Sequence, residues 1–215
     1  MSGETASGCV CVIDDDAEVL GSIGSLLRSN GFQAALYDTP EAFLLAGVPQ
    51  TASCLLLDVR LRGESGLDFQ ERLAARGIAI PVILITGHGD IPMTVRAMRA
   101  GALDFLPKPF TEEQMLAAVA AAIGVDRQRR GEAAGHAHLR QCYEALTPRE
   151  REVMGLVVAG LMNKQIAARM TLSEITVKIH RGNMMRKMEA QSLADLVRMA
   201  EFLGIRDDSI HRFNI

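Results

Sequence analysis

No run of apolar residues in this 215-residue chain approaches the roughly 20 needed to span a bilayer, and no basic segment followed by an apolar stretch stands at its start. Membrane spans and export signals are thereby set aside, and a soluble cytoplasmic protein is the expectation. Cysteine is scarce. Cys9, Cys11 and Cys54 lie inside apolar runs, where a free thiol behaves as a small hydrophobe, and Cys142 stands apart from them. Cys9-x-Cys11 has no second Cys or His pair at zinc spacing, so reduced, buried thiols are expected rather than a metal site. Basic residues are also short, but only in one part. Residues 1–146 hold 12 Lys and Arg against 18 Asp and Glu, a net of −6, whereas residues 147–215 hold 11 against 8, a net of +3. The whole-chain charge of −3 conceals this contrast, which points the second part toward an anion such as nucleic acid. At 215 residues, 48% of them hydrophobic, two domains with ordinary cores are expected.

What the chain does have is an acidic strand end, Val12-Ile13-Asp14-Asp15-Asp16. Carboxylates this close repel one another, so a strand end that gathers them suits a cation. Single polar residues close three later apolar runs: Asp58 after 53–57, Thr86 after 82–85, and Lys108 after 103–107. Apolar runs at 8–13, 32–36, 53–57, 80–85 and 103–106 alternate with amphipathic segments near 17–29, 40–46, 66–75, 91–100 and 111–123. That alternation predicts βαβ units and a doubly wound α/β fold with a five-stranded parallel sheet. Asn30-Gly31, Arg76-Gly77 and Ala100-Gly101 sit where helices should end. In such a sheet the strand carboxyl ends share one edge, where ligands bind.

From Gly124 to about Ala145 the pattern dissolves into polar and small residues, Asp126 to Arg130 and then Gly131 to Gly135. This reads as a connection at 124–145, into which the preceding helix can extend. Beyond it Thr147, Pro148 and Glu150 form a capping signal, and four helical segments follow near 148–159, 163–170, 174–189 and 191–203. Gly160 ends the first, Asn163 caps the second and Ser173 the third, with a three-residue break, Thr171 to Ser173, of helix-turn-helix length. The expected division is 1–123, 124–145 and an all-α unit at 146–215.

Asp58 is the candidate nucleophile for a phosphoryl group. Mg²⁺ held by Asp15 and Asp58, with Asp14 acting through water, would offset charge on the transferring oxygens. Lys108 brings a mobile cation, steadied by Pro107 and Pro109, with Pro107-Lys108 a candidate cis-type turn whose isomer the sequence does not decide, and Thr86 brings a hydroxyl. Asp16 reads as a helix cap. In the third output segment, Lys178, His180, Arg181, Arg186 and Lys187 face only Glu174. Such a helix suits a major groove or phosphates, while Val177, Ile179, Met184 and Met188 are expected to pack inward, Ile179 having a thymine methyl as its other candidate contact. Leu193, Leu196, Val197, Ala200 and Leu203 form an apolar stripe that serves either a core or a dimer.

Asp14-Asp15, Asp58, Thr86 and Lys108, with the stretches 85–92 and 101–110, resemble bacterial response-regulator receiver domains of the FixJ type over residues 8 to about 123. The resemblance implies phosphorylation of Asp58 by a sensor histidine kinase, the backbone carbonyl of Arg60 as a third Mg²⁺ ligand, and Phe105 as a switch aromatic coupled to Thr86. It departs at Arg62, where the family usually has Pro, which removes a backbone restraint and adds charge. Leu146 to Val153, Asn163 to Ala167 and Thr176 to His180 resemble the LuxR/NarL-type four-helix DNA-binding domain over 146 to about 203. The resemblance implies a recognition helix from Glu174 to Lys187, with Lys178 and Arg181 at bases and Thr176, Asn163, Lys164 and Lys187 at phosphates. Gly182 departs from it, where many relatives carry a larger or basic side chain. A homodimer formed on phosphorylation, promoter DNA and, as a further candidate partner, RNA polymerase follow from the same resemblance, and no membrane partner does.

Two rivals are weighed. An aspartyl-phosphate hydrolase needs an acid/base two residues past the nucleophile, and that position is Arg60. A phosphoryl sink without DNA binding leaves the basic helix-turn-helix half unexplained.

Overall fold

The computed structural model describes residues 8–87 and 91–205. His88, Gly89 and Asp90 of the receiver-like stretch, and 206–215 at the end of the expected output unit, lie outside the described residues. The chain divides into two compact units, up to Arg130 and from Gly131 onward.

In the first unit the apolar runs become strands β1 (Cys9–Ile13), β2 (Gln33–Tyr37), β3 (Ala52–Asp58), β4 (Val82–Thr86) and β5 (Asp104–Pro107). They form one parallel sheet in the order β2-β1-β3-β4-β5. Helices α1 (Ala17–Ser29), α2 (Pro40–Ala46), α3 (Gly66–Ala75) and α4 (Ile91–Arg99) connect them, and α5 (Glu112–Glu144) follows. The strands read as unbroken apolar runs because helices cover both faces of the sheet, and β1, β3 and β4 are buried throughout. Successive side chains point to opposite faces. Cys11, Ile13, Leu55, Leu57 and Leu84 therefore meet Phe43 of α2, Phe69 and Leu73 of α3 and Ala97 of α4. Val10, Val12, Cys54, Leu56, Ile83 and Ile85 meet Ile23 and Leu27 of α1 and Met115 and Val119 of α5. The four cysteines are free and buried.

Helix α5 does not stop at Ile123, where the apolar periodicity ends. It continues to Glu144, with Gly124, Gly131 and Gly135 inside it. Asp126 explains the first part of the extension. Its carboxylate is 1% exposed and accepts from Arg129 at 2.7 Å and Arg130 at 2.6 Å. The Arg130 guanidinium also donates to the carbonyls of Gln50 at 2.6 Å and Ala52 at 2.5 Å. The charged string that looks like a solvated connection is thus a clamp on the start of β3.

The second unit holds α6 (Pro148–Val158), α7 (Asn163–Met170), α8 (Glu174–Lys187) and α9 (Leu193–Phe202), together with the end of α5. Thr147 and Glu150 form the expected capping box, and Ser173 caps α8. Asn163 does not cap α7 as expected. It is the first helical residue, and the Gln165 side chain instead accepts from the Met162 N–H at 2.9 Å. Val153, Met154, Val157, Ile166, Val177, Met184, Met188, Leu196 and Ala200 form the core, with Cys142 at its margin. Ile179 is not in it: two residues from buried Val177 is a rotation of about 200°, and Ile179 is 58% exposed. The α9 stripe is mainly internal, since Leu196 and Ala200 are buried and Val197 and Leu203 pack on the core, leaving Leu193 exposed.

Gly66 opens α3 directly beneath the acceptor strand. Its N–H donates to the Val59 carbonyl at 2.9 Å, and a Cβ there would collide with the backbone carbonyl of Asp58. Gly66→Ala is expected to lower the stability of the first unit by roughly 1–3 kcal/mol in urea unfolding. Gly21→Ala on α1, where a Cβ meets open space, is expected to be neutral or stabilising. Equal midpoints for the two variants would show that the loop after β3 shifts freely.

Candidate functional site: an acidic strand edge and a basic helix

Register brings the acidic groups together. Ile13 pairs with Leu57, so the next residues, Asp14 and Asp58, emerge side by side from the carboxyl ends of β1 and β3. These are the adjacent strands from which the sheet is wound outward in both directions, the place where open α/β sheets bind ligands. Asp58 is the last residue of β3 and Thr86 the last of β4, each one residue beyond its apolar run. Thr86 pairs with Pro107 across β4 and β5, and its carbonyl accepts from the Lys108 N–H at 2.7 Å. That bond fixes the root of the Lys108 side chain over the site. The cis peptide in this loop is Lys108-Pro109, one bond beyond the candidate Pro107-Lys108.

Lys108 Nζ lies 2.7 Å from Asp58 Oδ1 and 3.1 Å from Asp14 Oδ2. Both carboxylates are nearly buried, Asp58 at 6% and Asp14 at 3% exposure. The other Asp58 oxygen accepts from the Arg60 N–H at 2.6 Å, and the other Asp14 oxygen accepts from the Asp16 N–H at 2.9 Å. Burial pushes the Asp58 carboxyl above its ordinary range. The Lys108 ammonium and the Arg60 N–H pull it down, the Asp14 charge raises it further, and the net direction is up. Burial alone would lower Lys108, but its bonds to Asp58 and Asp14 outweigh this and hold it above its ordinary value. A lysine in that state stays an ammonium. The Asp16 carboxylate caps α1 through the Glu18 and Val19 N–H groups, and only its backbone N–H touches the site.

Asp15 is drawn elsewhere. Its Oδ2 pairs with Arg62 Nε at 2.9 Å, with the Arg62 side chain 86% exposed and that of Asp15 22%. Arg62 stands out in the sequence as a departure, but a partner some 47 positions earlier in the chain is not visible there. Phe105, half-buried on β5 beside Leu84, packs against the core that α2, α3 and α4 cover. Oxygen-only donors with negative charge in excess suit a hard divalent cation such as Mg²⁺, and Asp14, Asp15 and Asp58 are the residues able to hold it.

On the second unit, α8 presents Lys178 exposed, with Ile175 and Ile179 beside it at 73% and 58% exposure. Lys164 is exposed on α7. Arg181 is half-buried and one of its nitrogens donates to Asn163 Oδ1 at 3.1 Å, so these two expected contacts are joined to each other. Thr176 shares a hydroxyl contact of 2.8 Å with the cap Ser173. Lys187 is differently placed. Its ammonium lies 2.7 Å from the buried Glu150 carboxylate and 3.2 Å from the Ala145 carbonyl. Burial would raise Glu150, but Lys187 and the Thr147 backbone hold it below the usual carboxylate range. Lys187 therefore ties α8 to the start of α6, and a phosphate there would compete with a buried carboxylate.

Comparison with known proteins agrees with both halves. The family described as response regulator receiver domain matches residues 10–120, and that described as bacterial regulatory proteins, luxR family, matches residues 144–200. Nodulation protein W of Bradyrhizobium diazoefficiens is 54% identical over 196 residues, 91% of this chain and 86% of that protein. The transcriptional regulatory protein FixJ of Azorhizobium caulinodans is 43% identical over 196 residues, 91% of this chain and 93% of that protein. The solved structure of the response regulator StyR superposes with a TM-score of 0.82 at 45% identity, covering 91% of this chain and 98% of that chain. A parallel sheet that gathers Asp14, Asp58, Thr86 and Lys108 at one edge, followed by a capped helix-turn-helix unit, therefore belongs to the FixJ-type two-component response regulators, transcriptional regulators that join a receiver domain to a LuxR-type DNA-binding domain.

Proposed function

We propose that Asp58 accepts a phosphoryl group from the phosphohistidine of a cognate sensor kinase, and that the modified protein dimerises on promoter DNA. The observation that carries this reading is the Lys108 ammonium bridging two buried carboxylates at the carboxyl ends of β1 and β3. An oxygen of Asp58 attacks phosphorus, the O–P bond forms as the P–N bond breaks, and the imidazole leaves with a proton from solvent. Lys108 then shifts from Asp58 toward the new phosphoryl oxygens, where an ammonium with three rotatable donors can follow them. The Thr86 hydroxyl meets the same group, and Phe105 follows Thr86 inward. Receiver domains of this family are generally Mg²⁺-dependent. Asp14, Asp15 and Asp58, with the Arg60 carbonyl, would hold the ion, which supplies positive charge to the transferring oxygens. The chain assists its own modification and turns over no other substrate. A cytoplasmic setting belongs to the same reading, and the connection between the two units runs inside α5, near Arg130 and Gly131.

On the output side, Lys178 and Arg181 reach base edges, Ile179 offers an apolar contact to a thymine methyl, and Thr176, Asn163 and Lys164 reach phosphates. Lys187 contributes mainly by holding α8 against Glu150.

Light scattering with Mg²⁺ and a small phosphodonor tests the switch: a monomer should become a dimer in the wild type and stay monomeric in Asp58→Asn. A response in both proteins would overturn Asp58 as the acceptor. Arg62→Ala frees the Asp15 carboxylate from a competing cation and should tighten Mg²⁺ binding several-fold by titration calorimetry, most strongly at low salt. Unchanged affinity would mean that Arg62 leaves Asp15 at no cost. Lys178→Ala should weaken specific DNA binding by about tenfold. If the residue reads a base the loss is confined to the specific site, whereas a phosphate contact weakens all sequences and lowers the salt slope by about one.

A further inference from the structure

A cluster in the second unit takes no part in either site. His138 and Cys142 lie one helical turn apart on α5 and so share a face. Glu189, immediately after the α8 cap Met188, has a left-handed backbone with φ of 56° and turns its carboxylate to the same place. His138 Nε2 lies 3.0 Å from Glu189 Oε2 and 3.6 Å from Cys142 Sγ, and all three donor atoms lie within 4.8 Å of one another. Thiolate, imidazole and carboxylate at bond lengths of about 2.3, 2.0 and 2.1 Å span tetrahedron edges of about 3.5 Å for N to S and about 3.4 Å for N to O. The observed N to S separation is close to its edge, and the N to O separation is about 0.4 Å shorter than its edge, so small side-chain shifts admit the ion. A surface His–Glu pair with side chains 59% and 65% exposed contributes little alone, and the i, i+4 spacing of His138 and Cys142 brings the thiol to the same nitrogen as the carboxylate.

We propose that His138, Cys142 and Glu189 form a zinc site, with Zn²⁺ in tetrahedral coordination and solvent as the fourth ligand. A soft thiolate and an imidazole select zinc over Mg²⁺ or Ca²⁺, which need oxygen donors. The ion replaces the Cys142 thiol proton, which leaves to solvent. It ties the last turns of α5 to the end of α8, beside the Lys187 contact with Ala145. The site therefore braces the helix that carries Lys178 and Arg181, within one compact unit. Cys142 is not paired with Cys9 or Cys11, so no Cys-x-x-Cys spacing marks the site. The His-x-x-x-Cys interval on one helix is its only local trace.

The test uses the full chain, stripped of metal and saturated with Mg²⁺ to fill the receiver edge, then titrated with Co²⁺ and back-titrated with Zn²⁺. The wild type should bind one equivalent, with a thiolate-to-cobalt band in the near ultraviolet and tetrahedral bands in the visible, all bleached by Zn²⁺. Cys142→Ala should abolish the near-ultraviolet band. His138→Gln, at an exposed position that leaves the core untouched, should weaken Zn²⁺ binding by at least about tenfold with the metal-free melting temperature unchanged. Zn²⁺ should raise the melting temperature of the wild type and not of His138→Gln. Absence of the band in the wild type, its persistence in Cys142→Ala, or unaltered Zn²⁺ binding by His138→Gln would each overturn the site.

Discussion

Two buried carboxylates share one ammonium at the edge of the sheet, and much of the first unit can be understood as what that arrangement requires. Asp14 and Asp58 meet because Ile13 and Leu57 are in register. They stay buried because β1 and β3 are central and covered on both faces. Lys108 reaches both because its own N–H is held by the Thr86 carbonyl at 2.7 Å. Remove the ammonium and two carboxylates would stand uncompensated in a site with little solvent, a far costlier state than an exposed pair. Remove the burial and the pair would be an ordinary surface contact worth little. The site is therefore a property of strand register and loop anchoring together, not of any one side chain.

Much of this was legible in the sequence because each feature has a local sign. Apolar runs closed by Asp58, Thr86 and Lys108 located the strand ends to within a residue, and α1, α2 and α3 begin and end where capping residues and glycines place them. The errors arose where a signal was tertiary. Asp126 and Arg130 look like linker residues until the carbonyls of Gln50 and Ala52, some 80 positions earlier in the chain, are brought to them. Asn163 looks like a cap by residue type, but the helix begins on it, and Gln165 accepts from the Met162 N–H in its place. Ile179 reads as inward from its apolarity, with a thymine methyl as its other candidate contact, and the helical angle from Val177 decides for the outside. Arg62 could be marked as unusual, but its partner Asp15 is reached only through the fold.

Helix α8 shows how one element can serve stability and recognition on opposite sides. Val177, Met184 and Met188 bury one side, while Lys178, Ile175 and Ile179 occupy the other. Its last turn belongs to the first role, since Lys187 neutralises Glu150, itself one half of the capping box that starts α6. Basic charge at a helix end is thus poor evidence of nucleic-acid contact unless its partners are known. On the proposed reading, the charge free for DNA is smaller than the net of +3 suggests, and more of the burden falls on Lys178, Lys164 and the nitrogens of Arg181 not taken by Asn163.

On the proposed reading, the worth of phosphorylation as a switch is a difference, not the gross attraction of a phosphoryl group for an ammonium. Lys108 already has two anionic partners, so only the excess of the new interaction over the old can bias the conformation of Thr86 and Phe105. Moving a two-state element from nearly all inactive to nearly all active takes about 5.5 kcal/mol of differential stabilisation. A partly solvated lysine exchanging one anion for another supplies only part of that. Mg²⁺ charge at Asp14 and Asp58, and association of two activated chains on paired half-sites, are where the remainder has to arise. The first depends on how readily Asp15 is released from Arg62. The second converts a modest shift in each protomer into a larger one in DNA occupancy, because both protomers must be active for both recognition helices to engage.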